Sequence, residues 1–185
     1  MGMTIFETQA TTDSALDLID WDTLYRVQMP RIFNFFRYRL GDDEIAQDLT
    51  SITFTKAWRA RRQYQSDLGA FEAWLFTIAR NVANDFLRQT QRRKEVSLDT
   101  LWGLSAETTV EQEAQQRREF ARLHALLKTL PAREQEIIAL KFGADMTNRS
   151  IAQALHMSES NIGTILHRTV TKLRKFWDAP QGSHR

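Results

Sequence analysis

Residues 147–177 read TNRSIAQALHMSESNIGTILHRTVTKLRKFW and predict two helices joined by a tight turn. Thr147 and Ser158 each suit an N-cap position, where a side-chain oxygen accepts a backbone N–H of the first helical turn. Between them, His156-Met157 makes a tight connection, and small Ala152 lets the two helices cross closely. A short helix, a turn and a longer helix together form the helix-turn-helix pattern.

The second of these helices is predicted to have one apolar face and one polar face. The residues that helical spacing places on the inward face are Ile162, Leu166, Thr169, Leu173 and Trp177. On the opposite side lie Asn161, Thr164, Arg168, Thr171 and Lys175. Side chains of these types reach base edges or phosphates when a helix enters the major groove. The segment therefore indicates DNA binding, with an ordinary helical hairpin as the alternative.

A second candidate surface lies in residues 71–94, FEAWLFTIARNVANDFLRQTQRRK. One apolar stripe is formed by Phe71, Leu75, Ile78, Val82 and Phe86. Another face carries Thr77, Asn81, Asn84, Arg88 and Arg92. Amide and guanidinium groups in line can serve base edges and phosphates, and a solvated surface is the alternative. Nearby Tyr64, Trp74 and Phe76 could stack on unpaired bases, although core packing is favoured for most of the aromatic residues.

The rest of the chain also reads as helix, because apolar residues recur at helical spacing and no stretch alternates long enough to predict a strand. Only 7 Gly and 3 Pro occur in 185 residues. An all-α fold is therefore expected, with Pro30 bending or splitting the first helix and an acidic, aperiodic linker over residues 95–115. Helices are predicted over residues 22–40 (ended by Gly41), 43–62, 70–93, 110–129 and from Leu130-Pro131 to Gly143.

Each half of the chain has about 70 residues and can bury only a modest core. We therefore expect its stability to be shared with a partner.

Positive charge is concentrated in two blocks, although the formal net charge is only +2. Residues 56–94 hold 9 Lys/Arg against 3 Asp/Glu, and residues 141–185 hold 7 against 3. Clustered cations suit a polyanion, because each neutralised phosphate releases counterions. A solvated helical surface is the alternative for each block.

Several classes of protein are excluded by composition. The chain has no cysteine, which excludes a disulfide scaffold and a thiolate metal site. The four histidines have no metal-ligand spacing, and neither a Gly-rich phosphate loop nor a nucleophile–base pair is recognisable. We therefore expect no enzyme, no cofactor and no metal. Without an apolar run of ~18–20 residues or the layout of a signal peptide, a cytoplasmic protein with no membrane insertion is expected.

Four segments, taken in order, resemble the extracytoplasmic-function (ECF) sigma factors, the small two-domain initiation factors of bacterial transcription. They are AQDLTSITFTKAWRAR (46–61), FEAWLFTIARNVANDFLRQTQRR (71–93), LPAREQEIIALKF (130–142) and the helix-turn-helix. The resemblance implies two small helical domains joined by a flexible linker. The divisions would be an N-terminal extension (1–20), a region-two-like domain (21–94), the linker (95–115), a region-four-like domain (116–179) and a C-terminal tail (180–185).

By this resemblance the first domain would bind the clamp helices of the RNA polymerase β′ subunit, and would read and open the promoter −10 element. The positions that match the polymerase-contacting helix and its core are Asp48, Leu49, Thr50, Phe54 and Trp58. The turn that would capture a flipped base carries Tyr64 and Asp67. The remaining matches to the −10 element are Asn81, Asn84, Asp85, Arg88 and Arg92.

The second domain would dock on the polymerase β flap and place its recognition helix in the −35 major groove. The matching positions are Ser158, Asn161, Thr164, His167, Arg168 and Lys172. Control by an anti-sigma factor is common in that family and would add a third partner to core polymerase and promoter DNA.

Two departures from the family pattern bear on these contacts. Ser51 and Ile52 stand where the family usually carries Gln and an acidic residue. Gly163 and Ile165 stand where Lys and Arg are frequent. Fewer cations predict that DNA binding depends less on salt. The slope of log K against log salt concentration should be smaller by roughly one unit per lost phosphate contact.

Two other classes of protein remain as alternatives. A helix-turn-helix regulator would bind duplex DNA as a dimer without polymerase. A helical adaptor would have no role with nucleic acid.

Overall fold

A computed structural model describes residues 21–64, 71–96 and 111–178 of the chain. Over these residues it is helical and contains no strand, which confirms the predicted all-α class. A 3-10 turn follows α2 at Arg61–Gln63, and a π-helical turn follows α5 at Ala139–Gly143. The helices are α1 (Trp21–Leu40), α2 (Asp43–Ala60), α3 (Phe71–Val96), α4 (Glu111–Leu127), α5 (Ala132–Ile138), α6 (Asn148–Leu155) and α7 (Glu159–Trp177).

The junction between α1 and α2 is determined by two local signals. Gly41 adopts φ +76 and its N–H donates to the carbonyl of Arg37 at 2.8 Å, so α1 ends where the glycine predicted. Asp42 then caps α2, with its carboxylate accepting the N–H of Ile45 at 2.9 Å. Gly41 is required for a second reason, because a Cβ there would overlap the imidazole of His124 on α4.

Pro30 does not split α1, so that part of the prediction is wrong. The helix is continuous from Trp21 to Leu40 with Pro30 inside it. Pro30 is exposed, as is Arg26 four residues before it, so water can solvate the carbonyl that the missing N–H leaves unpaired. On either side of Pro30, aromatic and apolar side chains hold α1 to the rest of the fold: Tyr25 meets Phe54 of α2 in an edge contact, and Ile32 is fully buried.

Both ends of the segment that we predicted to be linker are helical. Residues 95 and 96 belong to the end of α3, and residues 111–115 form the start of α4. The prediction took the linker's boundaries from its acidic composition. Acidic composition does not exclude the start of a helix, because the helix dipole favours acidic residues in the first turn. Residues 97–110, between the two helices, lie outside the described residues.

One continuous apolar cluster serves both halves of the chain. The N-terminal half (α1–α3) contributes Phe35, Phe36 and Phe76, and the C-terminal half (α4–α7) contributes Leu140 and Ile151, all fully buried. A half of about 70 residues buries only a modest apolar core by itself, and within the described residues each half packs against the other. The expected sharing of stability with a partner stays a prediction.

Gly163, in the middle of α7, is a site where a side chain can be added without a clash. A Cβ there would have only the Asn148 Nδ2 atom nearby, at 3.8 Å. Because glycine in a helix interior costs up to ~1 kcal/mol relative to alanine, Gly163→Ala should raise the free energy of unfolding by about 0.5–1 kcal/mol. Urea denaturation followed by circular dichroism measures this, and a lower midpoint would contradict the packing described.

His124 predicts a pH dependence of stability. The pKa of His124 is lowered to about 4, mainly by burial and also by the charge of Lys128, while a hydrogen bond to the backbone of Arg39 opposes both effects. Since the unfolded chain titrates near 6.5, the unfolded state binds more protons between these values. The contribution of neutral His124 to the free energy of unfolding is complete above pH 6.5 and is lost as the pH falls towards 4.

We therefore expect the free energy of unfolding to fall between pH 6.5 and 4 with a slope that His124→Gln reduces. His167→Gln, which removes an exposed histidine, is the matched control and should leave the slope unchanged. Equal slopes for all three proteins would contradict the assignment.

Candidate nucleic-acid interface

The polar face predicted on α3 borders a groove between α2 and α3. The groove has a volume of about 410 Å³ and is lined by Lys56, Ala60, Ile78, Asn81, Asp85 and Arg88. Asn81, Asp85 and Arg88 are exposed, Asn84 is half-buried beside them, and Arg92 is exposed one turn further along. The structure therefore brings three of the five predicted −10 residues of α3, namely Asn81, Asp85 and Arg88, together at one opening.

The groove combines an apolar floor with polar and charged walls. Ile78 and Ala60 form the apolar part, while Asn81 offers an amide donor and acceptor. Asp85 and Arg88 form an ion pair at 3.4 Å, with 61% and 69% of their side chains exposed. An exposed pair of this kind contributes little to stability, so both groups can be turned to a ligand at small cost. The arrangement suits a flat, polar-edged ligand next to a phosphate.

Lys56 is a groove residue that the sequence analysis missed. It belongs to α2, on the wall facing Arg88 of α3. Nothing in its local sequence separates it from other exposed lysines, because only the packing of α2 on α3 brings it to the groove. The two walls thus each carry a cation.

The aromatic residues near this groove are mostly packed against one another. Phe76 is fully buried, which supports core packing over base stacking for that residue. Tyr64 is half-buried, with its ring 5.4 Å from those of both Phe71 and Trp74. Asp67 lies outside the described residues. On α2, Trp58 is largely exposed and carries the Arg61 guanidinium 4.0 Å above its ring.

The helix-turn-helix is formed by α6 and α7 with the predicted caps. The Thr147 hydroxyl accepts the Ser150 N–H at 3.0 Å, and the Ser158 hydroxyl accepts the Asn161 N–H at 3.3 Å. Between the helices, His156 adopts a left-handed conformation with φ +52, which allows the tight turn. Within α7, the buried residues are Ile162, Leu166 and Thr169. All six residues matched to the −35 element are exposed, namely Ser158, Asn161, Thr164, His167, Arg168 and Lys172.

Arg168 has an internal partner as well as an exposed surface. Its guanidinium donates to Glu134 of α5 at 2.8 Å, and the other oxygen of that carboxylate accepts from the Thr169 hydroxyl at 3.1 Å. Because 67% of the Arg168 side chain is exposed, its remaining donors still face solvent. The ion pair therefore orients Arg168 at the surface of α7.

The two departures in α7 lie in different surroundings. Gly163 and Ile165 are both half-buried, but only Ile165 packs against the core. Packing accounts for the apolar side chain at Ile165, and nothing in the structure explains the glycine at Gly163.

Of the five residues matched to the polymerase-contacting helix and its core, Asp48 and Trp58 have exposed side chains. Leu49, Thr50 and Phe54 are buried and hold α2 in the core. Next to Asp48 on the outer side of α2, Ile52 is 43% exposed. An isoleucine that open to water is an apolar contact available to another molecule.

The described part of the chain contains neither a candidate metal site nor a helix that could span a membrane. No group of three or more His, Cys, Asp or Glu side chains there could hold a metal ion. None of its helices is long and apolar enough to cross a membrane.

Comparison with known proteins identifies both halves. The family model of Sigma-70 region 2 matches residues 24–93, and that of Sigma-70 region 4 matches residues 126–175. The ECF RNA polymerase sigma factor SigE of Mycolicibacterium smegmatis is 30% identical over 178 residues, which are 95% of this chain and 67% of that protein. The ECF RNA polymerase sigma factor BldN of Streptomyces coelicolor is 29% identical over 82% of this chain, which spans only 58% of that relative's length.

A solved structure has the same fold. It is the sigma factor RpoE of Bartonella quintana, crystallised with the anti-sigma factor NepR, and it superposes with a TM-score of 0.69. The match covers 88% of this chain and 99% of that one at 20% identity. With both sigma regions in order along an all-α chain, and with a relative that is 30% identical over 95% of this chain, the chain belongs to the ECF group of the sigma-70 family of RNA polymerase sigma factors.

Proposed function

We propose that this chain binds core RNA polymerase, recognises the −10 and −35 elements of a promoter and promotes opening of the DNA. The observation that carries the proposal is the presence of two separate outward faces for nucleic acid on one chain. One is the α2–α3 groove with Lys56 and Arg88 on its walls, and the other is the exposed face of α7. They occur within the residues matched to sigma regions 2 and 4, respectively.

The groove suits the opened strand of the −10 element. Unstacking a base costs a few kcal/mol, and a pocket that holds the base recovers part of that cost. Asn81 and Asp85 present donors and acceptors for a base edge, while Lys56 and Arg88 flank them as phosphate contacts. Binding the open form more tightly than the duplex lowers the free energy of opening, so no covalent step is required of this chain.

The −35 element is read by α7 in the major groove. Asn161, Thr164 and Arg168 lie on its exposed face, and these side-chain types reach base edges or phosphates there. The N-caps of α6 and α7 hold the pair of helices in the crossing that presents this face.

Polymerase contacts complete the proposal. The outer side of α2, with Asp48 and exposed Ile52, docks on the β′ clamp helices, and the second domain docks on the β flap. An apolar Ile52 in place of the family's usual acidic residue makes this contact depend more on burial and less on charge.

The remaining parts of the proposal concern catalysis, cellular location, a further partner and the domain boundaries. RNA synthesis belongs to the polymerase, so this chain is not an enzyme. It acts in the cytoplasm, where polymerase and DNA are. An anti-sigma factor is a further partner, as it is for the similar RpoE. The matched residues 24–93 and 126–175 support domains over 21–94 and 116–179.

Transcription in vitro tests the proposal. Core polymerase with this chain should initiate at a subset of a promoter library on which core polymerase alone is inactive. Equal activity with and without the chain across the library would contradict the proposal. Binding of a palindromic duplex without polymerase would favour a helix-turn-helix regulator instead.

Arg88→Ala tests the −10 contact on α3. Loss of a direct nucleic-acid contact costs about 1–3 kcal/mol, so initiation should fall by about tenfold or more. Arg93→Ala removes an exposed arginine that lies about 140° around the same helix, and it should retain most of the activity. Equal losses in the two variants would show that general charge, rather than the groove, is responsible.

Lys56→Ala tests the second wall of the groove. Binding of the holoenzyme to fork-junction DNA should become less salt-dependent, with the slope of log K against log salt smaller by about 0.7, the value for one single-strand phosphate contact. Lys128→Ala, a change of another exposed lysine, should leave the slope unchanged. An unchanged slope in Lys56→Ala would remove Lys56 from the interface.

A further inference from the structure

Gly163 is a residue of α7 that no contact inside the protein requires. Its φ lies outside the left-handed region, and among the described residues a Cβ would have only the Asn148 Nδ2 atom within 4 Å. Glycine inside a helix is less stable than alanine, because it has more backbone freedom to lose on folding. The missing side chain therefore costs stability and leaves open space against the α7 backbone, where a ligand can approach the helix closely.

The Asn148 amide of α6 lies beside this open space. Its Oδ1 atom is buried and has no hydrogen-bond partner among the described residues, and its Nδ2 atom is the one nearest to the Cβ position of Gly163, at 3.8 Å. A buried acceptor without a partner costs free energy, so this amide does not stabilise α6. Its Nδ2 group offers N–H donors to a ligand that enters this space, the Gly163 notch between α6 and α7.

Arg149, the next residue of α6, is an exposed cation whose charge the fold does not use. Arg168 of α7 is held by Glu134 at 2.8 Å, whereas Arg149 has no ion pair or side-chain hydrogen bond with any residue that the structure describes. The first turn of α6 contains no acidic residue, and the helix dipole disfavours a cation at this end of a helix. Arg149 is therefore available to an anion from outside the chain.

The Gly163 notch lies at the edge of the exposed face of α7. α6 packs on α7, and His167 follows Gly163 by four residues, which places it on the same side of the helix. His167 is exposed, as is Thr164 in the middle of the face. When the second helix of a helix-turn-helix enters the major groove, the first helix crosses the DNA backbone. The edge of α7 beside α6 is therefore where a phosphate comes closest to the protein.

We propose that Gly163, Asn148 and Arg149 form a binding site for one phosphate of the DNA backbone beside the −35 element. The inference rests on the proposed function, because it requires α7 to lie in the major groove. The absent side chain of Gly163 lets the phosphate approach the α7 backbone, Asn148 Nδ2 donates a hydrogen bond to it, and Arg149 neutralises its charge. A phosphate contact carries no sequence information, so the site adds affinity for every −35 sequence alike.

Gly163→Ala tests the site, because it should change stability and DNA binding in opposite directions. The methyl group stabilises the helix but occupies the notch. The urea midpoint should therefore rise while holoenzyme binding to a promoter weakens about fivefold or more, the size of one lost contact. Binding is measured with core polymerase and the full chain on a promoter taken from the library experiment. Unchanged or tighter promoter binding by folded Gly163→Ala would overturn the proposal.

Arg149→Gln tests the charge, and neutral phosphate analogues locate its partner. When single −35 phosphates are replaced by methylphosphonate, the natural chain should lose affinity at one position where Arg149→Gln loses none. A double-mutant cycle of this kind isolates the contact between the two groups. Lys128→Gln, which removes an exposed lysine outside α6 and α7, is the matched control and should keep the full sensitivity to that replacement. Equal losses for the natural chain and Arg149→Gln at every position would contradict the site.

Salt dependence and sequence dependence separate a phosphate contact from base reading. Arg149→Gln should reduce the slope of log K against log salt by about 0.9, the value for one phosphate of duplex DNA, and should weaken binding to all −35 variants by the same factor. A loss confined to one base pair would assign Arg149 to a base and overturn the phosphate site. Failure of the natural chain to direct initiation at any promoter would overturn the proposed function, whereas initiation without these effects overturns only the site.

Discussion

The carboxylate of Glu136 lies nearly buried between Arg133 of its own helix and Arg80 of α3. A buried charge is tolerated only while its partners remain, and removing one partner of such a pair costs about 3–5 kcal/mol. Through this pair and the carbonyl of Ala154, Arg80 holds α3 against both α5 and α6. Because apolar residues of both halves fill one cluster around these charges, the packing of each half depends on the other.

The same packing leaves the two nucleic-acid faces open. Arg80 points to the C-terminal half, whereas its neighbour Asn81 lines the α2–α3 groove on the exposed side. On the other side of the interface, α6 packs on α3 and presents α7 outward. The packing of the two halves therefore covers neither face.

Much of the fold could be predicted because its signals are local. Thr147 and Ser158 cap the two helices of the helix-turn-helix, and Gly41 ends α1, each through contacts within four residues along the chain. The exposed faces of α3 and α7 followed from helical periodicity alone. The split at Pro30 was predicted wrongly, because side chains on both sides of it pack against the rest of the fold and hold α1 together as one helix.

The sequence by itself determined the helices, their caps, the two polar faces and the family, since each depends on residues close together in the chain. Only the tertiary structure decided that Lys56 joins Arg88 at one groove, that Leu49 and Phe54 are buried, and that Arg80 pairs with Glu136. These contacts join residues far apart in sequence. They depend on which apolar faces pack together and on which arginine reaches which carbonyl, and periodicity carries no information about either.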